Sequence, residues 1–143
     1  MISSLSPVMV PLPIQSTTVT LTSSALAIPA YVAAPTAAGS FPGVVVIQEV
    51  FGVNAHIRDV ADRLAAMGYV AIAPHLYHRQ VVNFEVGYSE ADLALGRQYK
   101  DGTRADQLLS DIQSAIAYLD RKSTRPELQS PCNLVCRLLL EKK

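Results

Sequence analysis

Charge is missing from the first 48 residues of this 143-residue chain: no Lys, Arg, Asp or Glu precedes Glu49. A secretory leader needs a basic region ahead of its apolar stretch. Here the first base is Arg58, and Pro7, Pro11 and Pro13 interrupt any apolar helix, so an export signal is not expected. Long apolar runs are missing as well, and none approaches the roughly 18–20 residues that span a bilayer. Cysteine is scarce. Cys132 and Cys136 are the only two, placed i,i+4 in one short segment, which suits neither a disulfide framework nor a zinc site without further ligands. Net charge is absent too, since 12 basic and 12 acidic side chains cancel. That balance gives no electrostatic reason to expect a nucleic-acid or anionic-membrane partner. A cytoplasmic protein is the default expectation.

Half of the residues are hydrophobic, and the length suits one domain with a real core. Residues 1–16 read as an irregular Ser/Pro-rich lead-in. Thr17 to Thr22 (TTVTLT) alternates and is rich in β-branched residues, and Ala27 to Pro35 is a second extended piece; the two form a reasonable antiparallel pair. Thr36 to Gly43 is a loop. Val44 to Gln48 (VVVIQ) is a continuous apolar strand of the kind buried on both faces, which points to a parallel sheet. Asn54 can cap a helix from Ala55 to Met67, whose apolar set is Ile57, Val60, Ala61, Leu64 and Met67. Gly68 supplies its stop, and Tyr69 to Pro74 is another buried strand. Strand, helix and strand make a βαβ unit with an expected right-handed crossover.

Beyond Pro74 a polar, aromatic-bearing loop leads to a helix expected over Ser89 to Tyr99, with Ser89 as cap. A longer helix is expected over Arg104 to Arg121. Its stripe reads Leu108, Leu109, Ile112, Ala115, Ile116 and Leu119, with Asp106, Asp111 and Asp120 turned away. The tail, residues 123–143, has no clear period.

Ligands of open parallel sheets bind beyond the carboxyl ends of the strands. Glu49 and Arg79 fall at two such ends. A carboxylate there can act as a base or orient a nucleophile, and an Arg can hold a substrate carboxylate bidentately. The plainer alternatives stay open: a strand-end Glu can simply satisfy amide donors near a helix N-terminus, and a loop Arg is usually solvated. His75 and His78 flank Tyr77 near the same edge, whereas His56, on the first turn of its helix, is expected at the surface. No histidine spacing resembles a metal site, so no metal or cofactor is assigned. A nucleophile elbow G-x-[S/C]-x-G has no match; Leu134 lies two residues from both Cys132 and Cys136 and would clash in so tight a turn.

Residues 28–35 (IPAYVAAP), 41–79 (FPGVVVIQEVFGVNAHIRDVADRLAAMGYVAIAPHLYHR) and 110–119 (SDIQSAIAYL) together resemble the N-terminal half of the dienelactone hydrolase (carboxymethylenebutenolidase) family, which are α/β-hydrolases. The resemblance runs over residues 17–122. It implies a partial α/β-hydrolase fold: a mostly parallel sheet with an N-terminal antiparallel pair and flanking helices. It also implies a small-molecule lactone or ester substrate, cleaved in the family by a Cys-His-Asp triad. Glu49 then corresponds to the acid that activates the thiol, the Val50 N–H to an oxyanion donor, Arg79 to the substrate-carboxylate grip, and Tyr77 to a substrate-side Tyr. His75 departs from the Asp usual at its position. The chain parts from the family after Lys122, where the next strand, the Cys elbow and the triad Asp and His have no counterpart. The tail 123–143 is expected to be unrelated, as in a truncated or frame-shifted relative. The 143 residues alone are then expected to be inactive, or to act as a non-catalytic piece that self-associates through an exposed sheet edge or pairs with a complementing partner.

Overall fold

The computed structural model describes residues 10–23 and 26–122. Four strands form one sheet: β1 (Ile14–Ser23), β2 (Leu26–Pro35), β3 (Gly43–Val45) and β4 (Val70–Pro74), in the order β1-β2-β4-β3. β2 is antiparallel to both β1 and β4, while β3 and β4 run parallel. Among the described residues there are three helices: α1 (Ala55–Ala66), α2 (Glu90–Asp101) and α3 (Ala105–Lys122). Among the described residues no helix is long and apolar enough to cross a membrane.

The side-chain alternation of the strands divides the core into two layers. Ile28, Ala30, Val32, Val45 and Ile72 point to one face and are covered by Ala115 and Leu119 of α3. Ala33, Val44, Val46, Ala71 and Ala73 point to the other and meet Ile57, Ala61 and Ala65 of α1. Because both faces are covered, β3 and β4 are apolar at every position, as a parallel sheet requires. Alanines on both sides of the α1 layer let the helix approach the strands closely. Ile28 and Ile72 are fully buried, each contributing about 1.5–3 kcal/mol by area.

Caps set the ends. The Asn54 side chain accepts the Ile57 N–H at 3.1 Å and starts α1. Gly68, at φ +101°, donates its N–H to Ala65 as the chain leaves the helix. Ser89 accepts the Asp92 N–H at 3.1 Å and starts α2.

Several expectations need correction. β1 starts at Ile14, inside the stretch expected to be irregular, because its pairing with β2 runs the full distance from Ile14↔Pro35 to Ser23↔Leu26. β3 is shorter than the apolar run: regular pairing ends at Val45, with one further bond from Val46 N–H to the Ile72 carbonyl at 2.8 Å. Pro74, at the end of β4, has no N–H with which to extend the ladder. Met67 is not core-facing but half exposed, since α1 ends at Ala66. On α3 two positions trade places. Leu109 is 56 % exposed, while Asp111 is fully buried. The covered stripe is Leu108, Ile112, Ala115 and Leu119, and Asp111 lies on it, one turn beyond Leu108.

Candidate active site

The parallel pair fixes where a site can form. β3 and β4 end at the same edge, and the chain leaving each one must turn there. After β3, the Gly52 N–H bonds to the Glu49 carbonyl at 3.1 Å and closes a tight turn over residues 49–52. Gly52 has φ +90°, and a Cβ there would overlap the Phe84 carbonyl oxygen. α2 presses on the same turn from outside, because a Cβ on Gly96 would overlap the Val50 carbonyl oxygen. Two glycines therefore hold the segment carrying Glu49 and Val50 in place.

Gln48, which sequence reasoning passed over, ties the two strand ends together. Its side chain is buried, accepts the Leu76 N–H at 2.8 Å and donates to the Glu49 carbonyl at 3.2 Å. A polar residue closing an apolar run at a strand end was the available signal.

A cavity of about 320 Å³ opens at this edge. Glu49, Val50, Gln48 and Tyr77 line it from the strand ends, with Lys100 and Thr103 on the far wall. Ile47, Leu76 and Leu108 make it largely apolar. The Glu49 residue is exposed, so its carboxylate has access to solvent and to a ligand. The Tyr77 hydroxyl donates to the Val50 carbonyl at 3.3 Å. Its ring packs on Phe84 and Tyr99, with centroid distances of 5.5 and 5.9 Å. Burial pushes the Tyr77 phenol up to about 12, with the Gln48 hydrogen bond partly opposing. At neutral pH it is therefore a hydrogen-bond donor.

Arg79 occupies a different place. Its Nη1 donates to Asp111 Oδ2 at 2.7 Å, and the same oxygen lies 3.0 Å from His78 Nε2. Arg79 is not among the cavity's lining residues, although Leu76 and Tyr77 shortly before it in the chain are. The structure thus brings Glu49, Val50 and Tyr77 together and pairs Arg79, from the loop after β4, with Asp111 of α3. His75 lies toward α1, in a polar cleft of about 410 Å³ with Arg58 and Glu85. Burial and the Arg58 charge lower its pKa. His56 is exposed. Cys132 and Cys136 lie outside the described residues. A cavity of about 370 Å³ bordered by Phe41, Val70, Tyr118 and Lys122 is at the starting ends of β3 and β4, the opposite edge from the one that binds ligands in sheets of this type.

The profile of the dienelactone hydrolase family matches residues 28–128. A protein assigned as a carboxymethylenebutenolidase in Synechocystis sp. is 50 % identical over 105 residues, covering 73 % of this chain and 43 % of that protein. One with the same assignment in Methylorubrum extorquens is 42 % identical over 96 residues, covering 64 % of this chain and 30 % of that protein. Among solved structures, a protein assigned as a dienelactone hydrolase from Klebsiella pneumoniae superposes with TM-score 0.68 at 34 % identity, over 79 % of this chain and 46 % of the other. The chain spans less than half the length of these relatives.

Proposed function

Because this chain belongs to the dienelactone hydrolase family, we propose that it forms the substrate-shaping half of a lactone or carboxylic ester hydrolase. The observation that carries the reading is the meeting of Glu49, Val50 and Tyr77 on one apolar cavity where β3 and β4 end. In this reading Glu49 takes the proton of a nucleophilic thiol, the Val50 N–H donates to the oxyanion formed when the carbonyl is attacked, and Arg79 holds a substrate carboxylate. Tyr77 borders the substrate. A cavity of about 320 Å³ suits a small lactone or ester. The thiol itself is not provided in an elbow by any segment of the 143 residues, so the chain alone turns over little or nothing; nucleophile, base and oxyanion donors act as a unit.

The test of the site is a titration of the purified chain with γ-butyrolactone, followed through backbone amide NMR shifts. Shifts should concentrate at Val50, Tyr77 and Thr103. Shifts confined to Tyr118 and Lys122, or to Tyr31 and His75, would place ligand binding elsewhere and refute the assignment.

A second reading is a non-catalytic piece that self-associates or binds a complementing partner. It is favoured by β3, which ends the sheet order and pairs only with β4 among the described residues. An unpaired strand edge recruits another strand. A monomeric elution profile together with a single cooperative melt would count against it.

A further inference from the structure

Asp111 is the most thoroughly buried charge in the described part of the molecule, with its side chain fully shielded from solvent. Its neighbours on α3 are core residues, Ile112 and Ala115. One oxygen, Oδ2, receives both Arg79 Nη1 at 2.7 Å and His78 Nε2 at 3.0 Å. The other, Oδ1, has no hydrogen-bond partner among the described residues. Two side chains from one turn therefore account for the polar contacts of this carboxylate. A carboxylate only accepts hydrogen bonds, so His78 must carry its hydrogen on Nε2, which fixes the ring's tautomer and orientation.

If the role of this position were only to hold α3 on the sheet, an apolar side chain would serve as well. Replacing buried ion pairs by well-packed apolar residues is often neutral or stabilising. The carboxylate has a specific effect instead: it immobilises a long cation. About one fifth of the Arg79 side chain is exposed, and with Nη1 committed to Asp111 the rest of the guanidinium fork is open to a second anion. The location fits. Leu108 lines the cavity and Asp111 follows one turn later on α3; Leu76 and Tyr77 line it and His78 and Arg79 follow directly. Along both elements, then, the ion pair follows within one turn of residues that line the cavity.

We propose that Asp111 is a positioning residue for substrate recognition: it holds the Arg79 guanidinium beside the cavity, oriented to receive the carboxylate of a carboxylate-bearing ester or lactone. This rests on the reading of Arg79 as the carboxylate grip. An arginine already fixed has lost its rotamer freedom before the ligand arrives, so binding does not bear that cost.

Position and charge must be separated, because removing a negative charge beside Arg79 would by itself strengthen anion binding. Asp111→Glu keeps the charge and displaces the carboxylate by one methylene. Asp111→Asn removes the charge and keeps the shape, and it replaces the Glu variant should that one fail to fold. The 143-residue chain is titrated with crotonate and with crotonamide, its uncharged isostere, while the Arg79 Nε–H signal is followed by NMR.

A positioning role expects wild type to prefer crotonate. It expects Asp111→Glu to lower that preference about tenfold, the scale of one charge-assisted hydrogen bond, with the Arg79 signal shifted or broadened. Asp111→Asn should move the Arg79 signal likewise and fail to raise crotonate affinity. An unchanged preference in Asp111→Glu, or tighter crotonate binding in Asp111→Asn, reduces Asp111 to a counter-charge and overturns the proposal. No preference for crotonate in wild type overturns the reading of Arg79 first, and the proposal with it.

Discussion

Substituting Gly52 by alanine strikes at the turn that carries Glu49 and Val50, by two separable effects. At φ +90° the residue occupies backbone space that costs an L side chain about 1–2 kcal/mol. The added Cβ would also overlap the Phe84 carbonyl oxygen and lie 3.0 Å from both the Phe84 carbonyl carbon and Cδ2. Two of those atoms are backbone, so no rotamer change relieves the contact, and overpacking of this kind costs about 1–3 kcal/mol. Together the loss is about 2–5 kcal/mol, a large share of an ordinary domain's stability of about 5–15 kcal/mol. Gly96→Ala isolates the second effect, since Gly96 meets the Val50 carbonyl without needing a left-handed φ. There the clash is offset by about 1 kcal/mol of helix propensity, so the net change should be clearly smaller. Urea unfolding at constant m-value reads both. The reasoning fails if Gly52→Ala is as stable as wild type, or if Gly96→Ala is the more damaging of the two.

Three further outcomes are expected. Gln48→Leu should lose about 1–3 kcal/mol, because the buried Leu76 N–H loses its acceptor, and native-state hydrogen exchange at Leu76 should accelerate. The Tyr77 phenol is raised from 10.0 to about 12, so the stability tied to its neutral form is intact below pH 10 and is lost as pH rises through about 12; the alkaline absorbance titration of wild type minus Tyr77→Phe should contain a step near 12 rather than near 10. His75 is lowered from 6.5 by burial first and by Arg58 second, with Glu85 opposing and His78 reinforcing. Its contribution is present above pH 6.5 and falls as the pH drops through its folded value, because the unfolded chain takes up the proton first. The acid limb of a stability-versus-pH curve should therefore flatten in His75→Phe.

The elements that the sequence made legible are those in which local chemistry and tertiary context agree. Asn54 and Ser89 were recognisable as caps because a short polar acceptor stands before each helical run, and both accept an N–H three residues on. The apolar runs of β3 and β4 implied a sheet covered on both faces, and α1 and α3 cover it. What escaped was decided by partners distant in the chain. Asp111 was read as outward because charged residues usually are, although its spacing from Leu108 and Ala115 put it on the buried stripe; the side chains that bond to it there, His78 and Arg79, lie 33 and 32 positions away. Leu109 was assigned inward on hydrophobicity alone and lies off that stripe. Gln48 looked like the end of a strand, and its value depends on the Leu76 N–H that folding brings to it. At the site, Glu49 and Arg79 could be assigned to one edge from the βαβ pattern, but the pairing of Arg79 with Asp111 of α3, away from the cavity lining, depended on recognising Asp111 as buried.

The most direct measurement is turnover by the purified 143-residue chain with a dienelactone and with a nitrophenyl ester. On the proposed reading, in which Glu49 is the acid and the Val50 N–H the oxyanion donor, a chain without a nucleophile elbow should hydrolyse both at the rate of buffer alone, with no change in Cys132→Ser or Cys136→Ser. Robust hydrolysis that disappears in either cysteine variant would contradict the account at its centre.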